Sequence, residues 1–235
     1  MSDACKVAIV AALEREVSPF IKGWASSRKE FDGREFKFFE KDGVIVVSGG
    51  IGPEAARRAA EAVINLYCPA LVISAGFAGG LDTALEVGQT IMPRQVIDAK
   101  DGSRTDCGTG EGVLISFSDI ADVEQKANLG EAYGAHAVDM EAAAVARTAE
   151  MHGVQFLACK VISDTSRTAL PPIARFVGND GKFQVFRFLT YIAVRPWLWA
   201  KVQRLASDSA MAARKLCGLL AETARAHTAD QVLAR

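Results

Sequence analysis

The 235-residue sequence has no surplus of either charge, no paired cysteines and no long apolar run, and each absence argues against a class of function. Lys and Arg number 27 against 28 Asp and Glu, a formal net charge of −1. No nucleic-acid partner is therefore expected, because phosphate backbones call for a basic surface. The five cysteines, Cys5, Cys68, Cys107, Cys159 and Cys217, are scattered, odd in number and without CxxC spacing, which points away from a disulfide framework and towards a reducing cytoplasm. His136, His152 and His227 show no metal-ligand spacing, so no metal site is expected. No apolar stretch approaches the roughly 20 residues of a membrane span, and the short apolar run before Glu14 is too weak for a signal peptide. What remains is a chain that is 50% hydrophobic, long enough for one large α/β domain without requiring a second.

The most informative stretch runs from Gly134 to Asp164. Residues 140–152 carry the small and apolar periodicity of a helix packed closely on a sheet, with Ala142, Ala143, Ala144, Ala146 and Ala149, and Gly153 stops it. Residues 155–163 form a mostly apolar run of strand length, as expected for a strand covered on both faces, and Asp164 ends it. One αβ unit thus offers acids at two termini: Asp139 and Glu141 at the helix start, Asp164 at the strand end. Asp139 stands where a helix N-cap is wanted, and Glu141 can complement the helix dipole. Asp164 lies where ligands bind in open α/β sheets, outside the carboxyl end of a strand.

Residues 6–12 read as a first strand and 14–24 as a helix opening on Glu14 and Glu16. Residues 36–39 and 44–47 flank Asp42-Gly43, a hairpin signal. Ser48-Gly49-Gly50-Ile51-Gly52, followed by Pro53 and a helix over 54–67, makes a glycine turn at a helix N-terminus, a natural place for an anion. Arg57 and Arg58 lie one turn inside that helix. A short buried strand over 71–75 leads to a second glycine turn, Gly76-Phe77-Ala78-Gly79-Gly80. Further strands are expected at 87–92, 95–99 and 113–116, with a polar, glycine-rich loop containing Arg104 over 98–111. Neither glycine turn reads GxGxxG with an acid at the dinucleotide spacing, which disfavours a Rossmann domain.

Four segments, taken together, resemble the nucleoside phosphorylase superfamily, in its 5′-methylthioadenosine/S-adenosylhomocysteine nucleosidase branch. They are the strand and acidic turn from Val7 to Val17, Ser48-Gly49-Gly50-Ile51-Gly52-Pro53, Ile73 to Gly80, and Ala137-Val138-Asp139-Met140-Glu141 with Val161-Ile162-Ser163-Asp164. The resemblance implies a mixed central sheet flanked by helices in one domain over residues 1–235. It implies that Glu141 holds the ribose hydroxyls with Met140 beside the sugar, that Asp164, helped by Ser163, faces the purine N7, and that Glu16 sits near the nucleophile. Ile51, Gly52, Ser74, Gly76 and Phe77 would line the sugar and base pocket. The residue types suit the chemistry: a carboxylate accepts hydrogen bonds from both hydroxyls of a diol, and an acid at N7 neutralises the charge left on the departing base. No cofactor is implied. Inorganic phosphate is a candidate co-substrate, with Arg57 and Arg104 as its candidate ligands, and water is the alternative.

Two features depart from that branch. About fifteen polar residues replace a longer loop and helix before Val113, and Ile120 falls near the place of an adenine-stacking aromatic, with only Phe117 close by. From about residue 183 the chain becomes divergent: 183–193 is rich in Phe, Leu, Tyr and Ile, and 195–205 combines Trp197 and Trp199 with basic residues. Segment 183–204 is a candidate for peripheral membrane contact or for a core or subunit-interface helix. Together these features resemble a narrower group, the hopanoid-associated phosphorylases, which implies adenine release from adenosylhopane, a lipid-linked nucleoside. An ordinary methylthioadenosine/S-adenosylhomocysteine nucleosidase and a non-catalytic nucleoside- or lipid-binding module are the alternatives. The resemblance implies a homo-oligomer, with a dimer expected. A last, alanine-rich helix is expected over 209–227.

Overall fold

A computed structural model describes residues 7–170, 173–176, 178, 181, 184, 191, 195 and 199–233. One sheet of 11 strands runs through it in the order β2-β3-β4-β1-β5-β10-β9-β7-β8, with β11 paired to β5 and to β6. Its strands are β1 (Val7–Ala11), β2 (Ala25–Phe31), β3 (Arg34–Lys41), β4 (Val44–Ser48), β5 (Leu71–Gly80), β6 (Thr90–Ile91), β7 (Gln95–Asp98), β8 (Arg104–Asp106), β9 (Val113–Ser116), β10 (Ala137–Asp139) and β11 (Gln155–Asp164). The helices are α1 (Glu14–Val17), α2 (Pro53–Tyr67), α3 (Val123–Tyr133), α4 (Ala142–Met151) and α5 (Trp199–Leu233). The sheet is mixed: β4, β1, β5 and β11 run parallel, while β10 meets β5 antiparallel. This is the expected α/β architecture, a mixed central sheet flanked by helices.

Burial follows the sequence pattern. Every residue of β1 is buried, as are Val44 to Val47 of β4 and nearly all of β11, which is why these strands read as apolar runs rather than alternations. α2 packs against α4 through alanine-rich faces, and α5 packs against β11 and α1.

Several elements differ from expectation, each for a local reason. The helix expected over 14–24 stops at Val17, since Pro19 follows at once and Gly23 takes a positive φ of 78°. The sequence then supplies β2, joined to β3 through Asp32-Gly33 in the same left-handed pair of conformations as Asp42-Gly43. The strand expected over 87–92 shrinks to Thr90–Ile91, and β8 appears inside the polar loop. Residues 76–80 form no turn: they continue β5. The last helix is longer than 209–227, beginning at Trp199. Most of segment 183–198 lies outside the described residues, as do Pro171 and Pro172. Trp199 is 55% exposed. Among the described residues no helix is long and apolar enough to cross a membrane, and Cys68, Cys107, Cys159 and Cys217 are free thiols.

Candidate active site

The carboxyl ends of β1, β10 and β11 bring Glu16, Asp139 with Glu141, and Asp164 to a single cavity of 720 Å³. Beyond β1, α1 is one turn long and its Glu16 folds back so that Oε2 accepts the Leu13 N–H at 3.2 Å. Glu16 is 5% exposed, and burial raises its pKa from 4.5 to about 6.

Glu141 follows β10 and stands at the N-terminus of α4. Its Oε1 accepts the backbone N–H of Gly52 at 2.8 Å and its Oε2 that of Met140 at 3.2 Å. Burial, reinforced by the neighbouring negative charge of Asp139, raises its pKa to about 7, against the pull of Lys160 and the Gly52 N–H. Asp139 itself is fully occupied below: it accepts from Ser116 Oγ at 2.5 Å, from the Ala142 N–H at 2.9 Å and from Lys160 Nζ at 2.8 Å. The N-cap of α4 is Glu141 and not Asp139, which ends β10 and reaches forward to satisfy the first N–H of the helix.

At the end of β11 the pairing with β5 shifts register between Ile162 and Asp164. Consecutive strand residues ordinarily point to opposite faces, and this bulge re-aims them. Ser163 and Asp164 both line the cavity, and Ser163 Oγ donates to Asp164 Oδ1 at 2.7 Å. The other carboxylate oxygen, Oδ2, accepts from Lys126 Nζ, which also donates to the Thr165 carbonyl at 2.8 Å.

The glycines at the end of β5 now have a reason. A Cβ on Gly76 would lie 3.3 Å from Glu16 Oε2, and one on Gly79 would lie 3.2 Å from Asp164 Oδ2 and 3.3 Å from Lys126 Cε. They make room for acids, in a strand and not in a turn.

Of the expected site residues, Glu16, Ile51, Phe77, Met140, Glu141, Ser163 and Asp164 line the cavity. Ser74 and Gly52 stand behind it: Ser74 is 1% exposed and accepts from Lys160 Nζ at 3.0 Å, and Gly52 anchors Glu141. Gly76 backs Glu16. The phosphate candidates do not join them. Arg57 is engaged on the surface of α2 with Glu54 and Glu61, Arg58 with Glu54, and Arg104 bonds Gln95 from β8. The glycine turn, read as an anion site, already gives its Gly52 N–H to a carboxylate of the chain. Ile120 lines the cavity and Phe117 does not. One wall is the stripe Val202, Ala206, Ser209, Ala210 and Ala213 of α5, whose small side chains keep the space wide.

Sequence reasoning missed two lysines, each 1% exposed. Lys160 sits inside β11, and Ser74 and Asp139 hold it. Burial alone pushes its pKa down, yet the carboxylates of Asp139, Glu141 and Glu16 raise it. A lone Lys in an otherwise buried strand was a readable signal, since lysine is almost never fully buried without a partner. Lys126 occupies the stripe 126, 129, 130, 133 of α3, where helical spacing calls for core residues.

Comparison with known proteins gives the chain's family and fold. A 5′-methylthioadenosine/S-adenosylhomocysteine nucleosidase of Staphylococcus aureus (strain bovine RF122 / ET3-1) is 27% identical over 197 residues, covering 67% of this chain and 86% of the relative. Among solved structures, the nucleosidase of the same name from Neisseria meningitidis in complex with methylthio-immucillin-A aligns with a TM-score of 0.70 at 18% identity, covering 94% of this chain and 99% of that one. Futalosine hydrolase of Helicobacter pylori strain 26695 aligns with a TM-score of 0.67 at 19% identity, covering 93% and 98%. Those two structures share the fold. Residues 6–129 and 111–171 match the Phosphorylase superfamily, and with the match extending over more than half of the sequence, the chain belongs to that superfamily.

Proposed function

We propose that the protein hydrolyses the N-glycosidic bond of a purine nucleoside, releasing adenine, and that its substrate is adenosylhopane. The observation that carries the reaction is the convergence of Glu16, Glu141 and Asp164, from three strand ends, on one cavity. Glu141 orients the sugar through its hydroxyls, Asp164 meets the leaving base, and Glu16 accepts a proton from attacking water. As the glycosidic bond breaks its electrons go to the base and the sugar becomes cationic, a charge that buried carboxylates stabilise. Water is favoured over phosphate because Arg57, Arg58 and Arg104 are engaged elsewhere, and the arginines that do line the cavity, Arg15 and Arg214, are solvent-exposed.

The lipid nucleoside is supported by the size of the cavity and by its small-residue wall on α5, which leave room for an apolar 5′ substituent. A second reading, a methylthioadenosine/S-adenosylhomocysteine nucleosidase, is favoured by the names of the relatives. Incubating the purified protein with adenosylhopane, methylthioadenosine and S-adenosylhomocysteine in turn, with and without phosphate, and measuring free adenine separates these readings. Faster release from the soluble thioethers than from the lipid would establish the second.

A further inference from the structure

We infer that Lys126 supplies, through Asp164, the proton that neutralises the departing base. The inference rests on the glycosidic cleavage proposed above. Among the described residues, two side chains donate to Asp164: the Ser163 hydroxyl to Oδ1 and the Lys126 ammonium to Oδ2. A carboxyl group that accepts on both oxygens has the arrangement of a carboxylate, which has acceptors and no proton of its own to give. The acidic hydrogen available to Asp164 is therefore on Lys126.

Three observations separate this pair from a merely structural one. Lys126 and Asp164 both line the cavity. The Thr165 carbonyl fixes the ammonium at 2.8 Å, so it is aimed at one oxygen. The other buried pair, Lys160 with Asp139, is more heavily engaged, for Asp139 accepts from Ser116, Ala142 and Lys160, three donors against two at Asp164. Asp164 keeps acceptor capacity that a substrate can use, since a carboxylate offers about four lone-pair directions.

The proton balance closes. The C1′–N9 bond breaks with its electron pair going to the purine. One proton moves from Lys126 Nζ to Asp164 Oδ2 and on from Asp164 to N7, which leaves a neutral amine, a carboxylate and neutral adenine. The attacking water loses a proton to Glu16, and exchange with solvent after product release takes that proton from Glu16 and returns one to Lys126. Lys126 acts through Asp164 and is thus a positioning residue and proton source.

The test compares wild type with Lys126→Met and Lys126→Arg on the adenine nucleoside turned over fastest, with kcat and KM measured from pH 5 to pH 9. Lys126→Met is expected to lower kcat about 100-fold at neutral pH, the scale of lost general-acid assistance, with little change in KM. Its deficit relative to wild type should shrink as the pH falls, because solvent acid then substitutes for the missing proton, and Lys126→Arg should recover part of the rate. A deficit equal at every pH, or a loss confined to KM, overturns the inference and leaves a structural pair. Should Lys126→Met fail to fold, Lys126→Gln carries the same measurement. A wild-type protein that releases adenine from no nucleoside removes the proposed function and this inference with it, whereas an active wild type matched by Lys126→Met removes the inference alone.

Discussion

The backbone N–H of Gly52 donates to Oε1 of Glu141 at 2.8 Å, joining residues 89 positions apart in sequence. It ties the first glycine turn to the acid proposed to hold the ribose, and it fills with the chain's own carboxylate the place at the start of α2 where an external anion would sit. Added inorganic phosphate should therefore leave the rate of adenine release unchanged. Arg57→Ala should stay within about twofold of wild type, as Arg57 is held on the surface of α2 by exposed Glu54 and half-buried Glu61. Phosphate-dependent turnover with a ribosyl phosphate product would contradict both expectations.

Glu141→Gln should lower kcat/KM by about 100-fold, the loss expected when one of two charge-assisted hydrogen bonds becomes a repulsive donor–donor contact. The same variant should discriminate less between a ribonucleoside and its 2′-deoxy analogue. Unaltered discrimination would place the hydroxyls elsewhere.

Glu16 and Glu141 must be ionised to work, the first to accept a proton and the second to accept two hydrogen bonds. With pKa values of about 6 and about 7, kcat/KM should fall as the pH drops through 7, and more steeply below 6. Glu16→Gln should abolish that lower limb along with most of the activity.

The same burial makes Glu16 a liability for stability. Its folded pKa lies above the ordinary 4.5, so the folded state holds the proton more tightly, and stability declines as the pH rises from 4.5 through about 6. Glu16→Gln should be more stable than wild type by about 2 kcal/mol at pH 8 and equal to it near pH 4. Denaturant melts at the two pH values check this, and a variant less stable at pH 8 would refute it.

Gly79→Ala puts a methyl group against Asp164 Oδ2 at 3.2 Å, Lys126 Cε at 3.3 Å and Val138 Cγ1 at 3.3 Å. The fold should survive, because the strand continues through this position. Activity should drop about tenfold or more as the pair is displaced, and a crystal structure of the variant should show the shift at Asp164.

The acids were readable from the sequence because each stands at an element boundary: Glu16 just beyond β1, Glu141 before the alanine run of α4, Asp164 where the apolar run of β11 ends. The Asp42-Gly43 hairpin was readable from its turn, and Asp32-Gly33 offered the same signal for β2, masked by the polar residues Ser26, Ser27, Arg28, Lys29 and Glu30 between the turn and the expected helix. Gly76 to Gly80 misled for a physical reason. Glycine serves a turn through its backbone and a strand through its missing side chain, and only the neighbouring Glu16 and Asp164 reveal which use applies here. The partners of Lys126 and Lys160 were hidden because they are distant in sequence, 38 residues away for the pair with Asp164. The same holds for the wall from α5, whose small residues look like ordinary helix formers until the cavity shows what they face.

The order of the parts along the chain has a consequence for synthesis. A nascent polypeptide that has emerged as far as Asp164 already carries Glu16, Glu141 and Lys126, yet Val202, Ala206, Ala210 and Ala213, which close one side of the space, have still to leave the ribosome. Until they arrive, the reacting groups face bulk solvent and lack the dry enclosure that gives their charges force. A product cut short before residue 202 would bear the full set of acids without this wall, and is expected to release adenine far more slowly than the full chain.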